Sequence, residues 1–168
     1  MADYEQALVR FERGAGRIRG RLTRAYAHPV ETVWAHITDS EKLAQWLAPG
    51  SIDLHAGGAA KLNFVNSGVI VDSPVTSAEP PRRLCYSWSA QNEPVRPLDW
   101  SLEELEGDTL LTLEVSLPED EDAGRACAGW ESHLEMLAAA LEGVTTRFPT
   151  ELFLSRRDAY RAQLAGGA

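Results

Sequence analysis

The sequence predicts an α+β fold in which a curved antiparallel sheet wraps around one long helix. Three observations predict it. Segments of alternating apolar and polar residues follow one another between short turns, which implies antiparallel pairing. The helical patterns stand before and after that run instead of alternating with it, the arrangement that separates α+β from α/β. The strongest amphipathic pattern comes last, where its apolar face lies across the concave side of the sheet. A chain of 168 residues, 44% hydrophobic and with five Trp, supplies one domain with its own core.

Each element follows from its own pattern. Residues 1–16 are polar, end in Gly14-Ala15-Gly16, and read as an arm or short helix outside the core. Ile18, Leu22 and Tyr26 share one face of an extended segment whose other face carries Arg17, Arg19 and Arg21, the pattern of a half-buried strand. Pro29 suits the first turn of a helix, and Val30, Val33, Trp34 and Ile37 give its apolar stripe. Thr38-Asp39-Ser40-Glu41 has the form of a capping box and starts a second short helix, with Leu43, Trp46 and Leu47 apolar and Pro49-Gly50 as the stop. Strands are expected at residues 52–54, 59–65, 69–77, 83–89, 98–102 and 109–117, with turns at Gly57-Gly58, Glu79-Pro80-Pro81 and Gly107-Asp108. Pro74 lacks a backbone donor, so it marks an edge or a bulge. The acidic run 119–122 suits the positive end of a helix that carries Cys127, Trp130, Leu134, Leu137, Ala138 and Leu141 on one face and stops at Gly143. Residues 148–164 form an appended helix with Leu152, Phe153, Tyr160 and Leu164 apolar, ended by Gly166-Gly167. The expected division is an arm at 1–16, a domain at 17–143 and an appended helix at 144–168.

Composition excludes several classes. A net charge of −9, from 16 basic and 25 acidic residues, disfavours nucleic acid as the main partner. Six Arg crowd residues 10–24, which reads as a solvated strand face, with phosphate or partner binding as the alternative. The longest apolar run, residues 136–141, is far below the roughly 18 residues of a membrane span. The first residues, Met1-Ala2-Asp3-Tyr4-Glu5, lack the apolar stretch of a signal peptide, and two Cys make no disulfide framework, so the expected location is cytoplasmic.

Several motifs carry a resemblance. Residues 22–34, Leu-Thr-Arg-Ala-Tyr-Ala-His-Pro-Val-Glu-Thr-Val-Trp, and residues 37–47, ending in Gln45-Trp46-Leu47, are similar to the opening of the START-like, or SRPBCC, superfamily. Gly57-Gly58, the run from Pro80-Pro81 to Trp88, and Gly129-Trp130 in the last core helix agree. Within the superfamily the chain most resembles the activator of Hsp90 ATPase homologue (AHSA1-like) branch, over about residues 17–143. The resemblance implies a helix-grip fold with a hydrophobic cavity. It also implies a range of roles: lipid carriers, hormone receptors, polyketide cyclases or aromatases, and chaperone co-activators. Co-activators of the eukaryotic kind carry a chaperone-binding domain before this one, for which the chain has no room. The segments 1–16 and 144–168 lie outside the usual limits and either cover the cavity mouth or form a dimer contact.

The chemistry-bearing residues are few. No phosphate loop, dinucleotide fingerprint or nucleophile elbow is present. The four His are scattered without ligand spacing, so no metal is expected, and nothing calls for a cofactor. Cys85 and Cys127 have no base beside them and read as inert thiols. Trp34 and Trp46 sit on helical stripes and read as core. Trp88, Trp100 and Trp130, with Tyr86, Leu134 and Leu137, either line a ligand cavity or fill the core. His133, one turn beyond Trp130, is a catalytic candidate or a satisfied rim histidine. Asn63 points opposite to Leu62 and Phe64, either to solvent or as one polar group in the cavity. Arg24 is in phase with the buried residues of its strand, so it points inward and needs a carboxylate or an anionic ligand, unless the strand ends and it reaches solvent.

These residues favour binding of a small apolar or aromatic molecule between sheet and helix. The alternatives are a cyclase-, aromatase- or hydrolase-type enzyme in which His133, Asn63 or Arg24 supplies acid-base or oxyanion help, and a chaperone co-factor or co-regulator acting by protein contact. Leu152, Phe153 and Tyr160, if uncovered, favour a homodimer.

Overall fold

A computed structural model describes residues 9–64 and 68–166. Residues 1–8 of the expected arm, Val65 at the end of an expected strand, and Gly167 lie outside the described residues. The element order is β1 (Arg10–Gly14), β2 (Arg17–Tyr26), α1 (Val30–Thr38), α2 (Ser40–Trp46), β3 (Gly50–Ile52), β4 (Ala59–Phe64), β5 (Val69–Glu79), β6 (Arg83–Ser87), β7 (Pro97–Leu105), β8 (Asp108–Pro118), α3 (Ala123–Leu141) and α4 (Thr150–Ala165). The strands form one curved eight-stranded sheet, antiparallel at every pairing, in the order β1-β2-β8-β7-β6-β5-β4-β3. The long helix α3 crosses it, packed on β2, and α4 lies along α3.

Alternation builds the core face as expected. Ile18, Leu22 and Tyr26 of β2, Leu98, Trp100 and Leu102 of β7, and Leu111, Leu113 and Val115 of β8 are all buried. They meet Cys127, Trp130, Leu134 and Leu137 of α3, also buried. Each large side chain so removed from water contributes on the order of 1.5–3 kcal/mol before the entropy of ordering is set against it.

Local chemistry explains the boundaries. The cap of α2 is Asp39, whose carboxylate accepts from the backbone N–H groups of Glu41 and Lys42. Thr38, the expected capping-box hydroxyl, instead donates back to the Trp34 carbonyl and closes α1. Pro74 sits in the middle of the sheet, where β5 exchanges its partner β4 for β6. Its missing N–H is made good by Ser73, whose hydroxyl both donates to the Ser87 carbonyl and accepts from the Ser87 N–H. The register then shifts between Val75 and Ser77, the bulge that Pro74 signalled. Gly143, at φ 78°, ends α3 in a Schellman arrangement, with its N–H on the Ala140 carbonyl and the Val144 N–H on the Ala139 carbonyl.

The N-terminal segment differs from expectation. Residues 10–14 are neither an arm nor a helix but an edge strand paired along β2. Val9 is buried, and the Phe11 ring meets the Tyr160 ring of α4 edge-on at 5.8 Å. Arg13 donates to the Leu164 carbonyl, and Gln163 donates to the Val9 carbonyl. The polar sequence of β1 concealed this because an edge strand shows the sheet only one face, and α4 supplies the rest of its contacts. The first expected strand also moves, from residues 52–54 to Gly50–Ile52.

Candidate functional site

The middle of the sheet and the inner face of α3 bring the aromatic residues together. Register pairs Leu84 with Trp100 and Tyr86 with Leu98, so β6 and β7 present Tyr86 and Trp100 side by side to α3. A continuous series of rings results. Trp46 meets Trp100 at 6.2 Å, Trp100 meets Trp130 at 5.6 Å, and Trp130 meets Trp88 at 4.8 Å, all edge-on. Trp88 meets Phe64 at 5.3 Å, Phe64 meets His133 at 5.8 Å, and His133 meets Phe148 at 5.4 Å.

Burial divides this series. Trp46, Tyr86, Trp100, Leu134 and Leu137 are at most 2% exposed and fill the core, and burial pushes the Tyr86 phenol above its ordinary value. Trp130 is buried beside them at 6%. Trp88 and Phe64 are half-buried, and Phe148 is 37% exposed. The aromatic surface therefore reaches solvent at one end, where α2, the end of β4, α3 and the segment joining α3 to α4 converge.

His133 stands at that end. Its Nδ1 lies 3.1 Å from the carbonyl of Trp46, the last residue of α2. A carbonyl only accepts, so Nδ1 carries the proton and the lone pair of the neutral ring is on Nε2. Among the described residues Nε2 has no hydrogen-bond partner. Burial holds the imidazole below its ordinary pKa, against the opposing bond to Trp46, so at neutral pH the ring is uncharged.

Arg24 points inward, and its partner is a carboxylate. Its guanidinium donates to Glu131 Oε1 at 2.8 Å, with the two side chains 12% and 4% exposed. Glu131 Oε2 accepts from the Tyr160 hydroxyl at 2.6 Å and lies 3.3 Å from Arg156 Nε. Burial, with the bond to Glu131, raises the Tyr160 phenol above its ordinary pKa. Arg24 thus has its carboxylate within the chain, while its buried Nε has no hydrogen-bond partner among the described residues. Glu131 and its partners on α4 were missed at the sequence level. The available signal was a carboxylate set among Cys127, Ala128 and Leu134, which shows that α3 buries two faces and not one.

Asn63 takes the first of its two expected positions. It is exposed, on the face opposite Leu62 and Phe64, and borders an open groove of about 300 Å³ with Pro49, Gly50 and Ile70. It does not meet His133 or the Trp cluster. A second concavity, of about 370 Å³, lies on the sheet's outer face among Arg17, Arg19, Arg83, Asp99 and Glu114, also away from the rings. The basic strand face is partly engaged there: Arg17 donates to the Ser116 hydroxyl and the Val95 carbonyl, and Arg83 pairs with Asp99. Cys85 opens on this face. Burial pushes its thiol up to about 11 and that of Cys127 up to about 12, so both are protonated at neutral pH. Among the described residues no three His, Cys, Asp or Glu side chains stand together in a way that holds a metal ion. No described helix is long and apolar enough to cross a membrane. On α4 Tyr160 is buried and Phe153 and Leu164 pack on the core, whereas Leu154 is 41% exposed.

Residues 27–142 match the AHSA1 family model, described as activator of Hsp90 ATPase homolog 1-like protein. No curated protein matches the chain. The crystal structure of CalU16 from Micromonospora echinospora superposes with a TM-score of 0.74 at 26% identity, over 90% of this chain and 96% of that one. DynU16, a protein in the dynemicin biosynthetic locus, gives 0.70 at 29% identity, over 77% of this chain and 49% of that one. EF2215 from Enterococcus faecalis gives 0.78 at 22% identity, over 94% and 91%, a likeness of fold.

Proposed function

The chain belongs to the activator of Hsp90 ATPase homolog 1-like family, and from that premise we propose that it binds a small, largely apolar aromatic molecule between the sheet and α3. The site is the solvent end of the ring series, where Phe64, Trp88, Trp130, His133 and Phe148 meet. One observation carries this reading: at this end of the ring series aromatic surface runs out to solvent beside His133 Nε2, which has no hydrogen-bond partner among the described residues. Phe148 belongs to the non-helical segment between α3 and α4, so a ligand enters by turning that ring outward, in exchange for ring contacts of its own. DynU16 supports the reading, because a biosynthetic locus is a setting in which small organic molecules are handled.

A second reading, a cyclase-like enzyme in the same site, is supported by the free Nε2 of a neutral His133, the state a general base requires. Arg24 has no part in it, being committed to Glu131. On that reading His133→Ala lowers turnover at least roughly tenfold while the fold is kept. The cytoplasm is the proposed compartment, supported by two free thiols.

The test is a panel of fused-ring and aliphatic molecules, read by the melting temperature and by Trp fluorescence, with native mass spectrometry of fresh protein beside a denatured control. A ligand at a hundred times its Kd stabilises by about 2.7 kcal/mol, or roughly 5–10 °C for a chain of this size. Aromatic members are expected to reach that shift. A panel that moves neither signal, together with a clean apo mass, overturns the proposal.

A further inference from the structure

The geometry points to His133 Nε2 as the hydrogen-bond acceptor for an aromatic hydroxyl, so that the ligand class is phenolic. This rests on the ligand-binding reading above and names the chemistry that the site selects. The Trp46 carbonyl fixes the tautomer at 3.1 Å: with Nδ1 donating, the other nitrogen offers a lone pair and no proton. Nothing else among the described residues uses that lone pair. The imidazole ring stands among those of Phe148 at 5.4 Å, Phe64 at 5.8 Å and Trp130 at 6.2 Å, centroid to centroid. A group bonded to the imidazole therefore has aromatic rings as its neighbours, which suits a flat ring.

The alternatives fail on charge and polarity. A ketone or a carboxylate brings only acceptors and meets the lone pair with repulsion. An ammonium brings a donor, but the burial that disfavours a proton on His133 disfavours a buried cation beside it in the same way. A neutral hydroxyl supplies the donor at the smallest desolvation cost, and an aromatic hydroxyl is the more acidic and stronger donor.

The probes are 2-naphthol and 2-methoxynaphthalene, which share a ring system and differ in the O–H. Affinities are read by Trp fluorescence on the wild type and on His133→Phe, which keeps a ring and removes the acceptor. The wild type is expected to prefer 2-naphthol by about tenfold, the worth of one buried hydrogen bond. In His133→Phe the two probes are expected to bind with equal affinity, so that the preference disappears. A second measurement needs no variant. The ¹⁵N resonance of Nε2 in the wild type moves upfield with 2-naphthol and stays in place with 2-methoxynaphthalene. Equal affinities in the wild type, a preference that survives in His133→Phe, or an unmoved Nε2 resonance overturns the assignment and leaves ligand binding standing. Binding of neither probe overturns the phenolic assignment, and the ligand-binding reading then stands or falls with the panel and the apo mass.

Discussion

The two sides of α3 solve the problem of burying polar groups in opposite ways. On the side facing β2 and α4, Glu131 is 3% exposed and both its oxygens are engaged, by Arg24, Tyr160 and Arg156. Around it Asp122 caps α3 and pairs with Arg161, and Gly124 leaves so little room that an added Cβ would lie 2.9 Å from the Arg161 side chain. On the side facing β4 and β6 the corresponding polar residue is His133, with one nitrogen engaged and the other without a partner among the described residues. The difference follows from charge. A buried ion must be fully paired or it costs several kcal/mol, so a carboxylate recruits partners until the geometry is fixed. A neutral imidazole tolerates one open position at the edge of the core. One helix therefore carries a clamp on one face and a recognition surface on the other.

Breaking the clamp is expected to give the largest effect. Glu131→Ala leaves two guanidinium groups and a phenol without their carboxylate and is expected to cost about 3–5 kcal/mol, or roughly 10 °C in melting temperature. Denaturant unfolding measures it. If the two sides are independent, the folded variant binds 2-naphthol as the wild type does; a change above about threefold would show that the clamp sets the position of α3 over the aromatic site. Tyr160→Phe is the finer cut. It removes one hydroxyl donated to a carboxylate and keeps the ring against Phe11, so about 2 kcal/mol is expected, with faster amide exchange along α4. A loss below about 0.5 kcal/mol would place the hold on α4 in the Asp122–Arg161 pair instead.

This asymmetry also governs what the sequence made legible. The period-two strands, the α3 stripe and the inward phase of Arg24 all came from local repetition, and each is present in the structure. Arg24 also announced its need for a carboxylate, but not which one, because Glu131 is 107 residues away and only the docking of α3 on β2 joins them. The edge strand β1 was illegible for a related reason: its partners are the next strand and a helix at the far end of the chain. Asn63 was placed on the correct face by alternation, but whether that face met the cavity depended on the curvature of the sheet. Trp100 and Trp130 illustrate the remaining limit, since the pattern that buries a ring is the same whether its neighbour is another ring or a ligand.

The smallest expected effect tests the open side through pH. In the folded protein burial lowers the His133 pKa, whereas in the unfolded chain the imidazole titrates near its ordinary value of about 6.5. As pH falls below that value, the unfolded chain takes up a proton that the folded protein refuses. The contribution to stability is present above about pH 6.5 and is lost as pH falls toward the folded pKa. The depressed carboxylates act lower. Arg96 lowers Glu121, Arg161 lowers Asp122, and at Asp99 burial is outweighed by Arg83, so all three give up their stabilisation only as pH falls below the ordinary carboxylate range, near 4, toward their lowered values. His28, His36 and His55 are common to the wild type and His133→Phe and cancel in the comparison. Between about pH 6.5 and 5, the wild type is therefore expected to lose more melting temperature than His133→Phe. With 2-naphthol bound the gap widens, because the ligand's hydroxyl needs the same lone pair as the proton. Parallel curves for the two proteins would mean that the imidazole is as well solvated as in the unfolded chain, and that the two sides of α3 do not differ in the way their burial indicates.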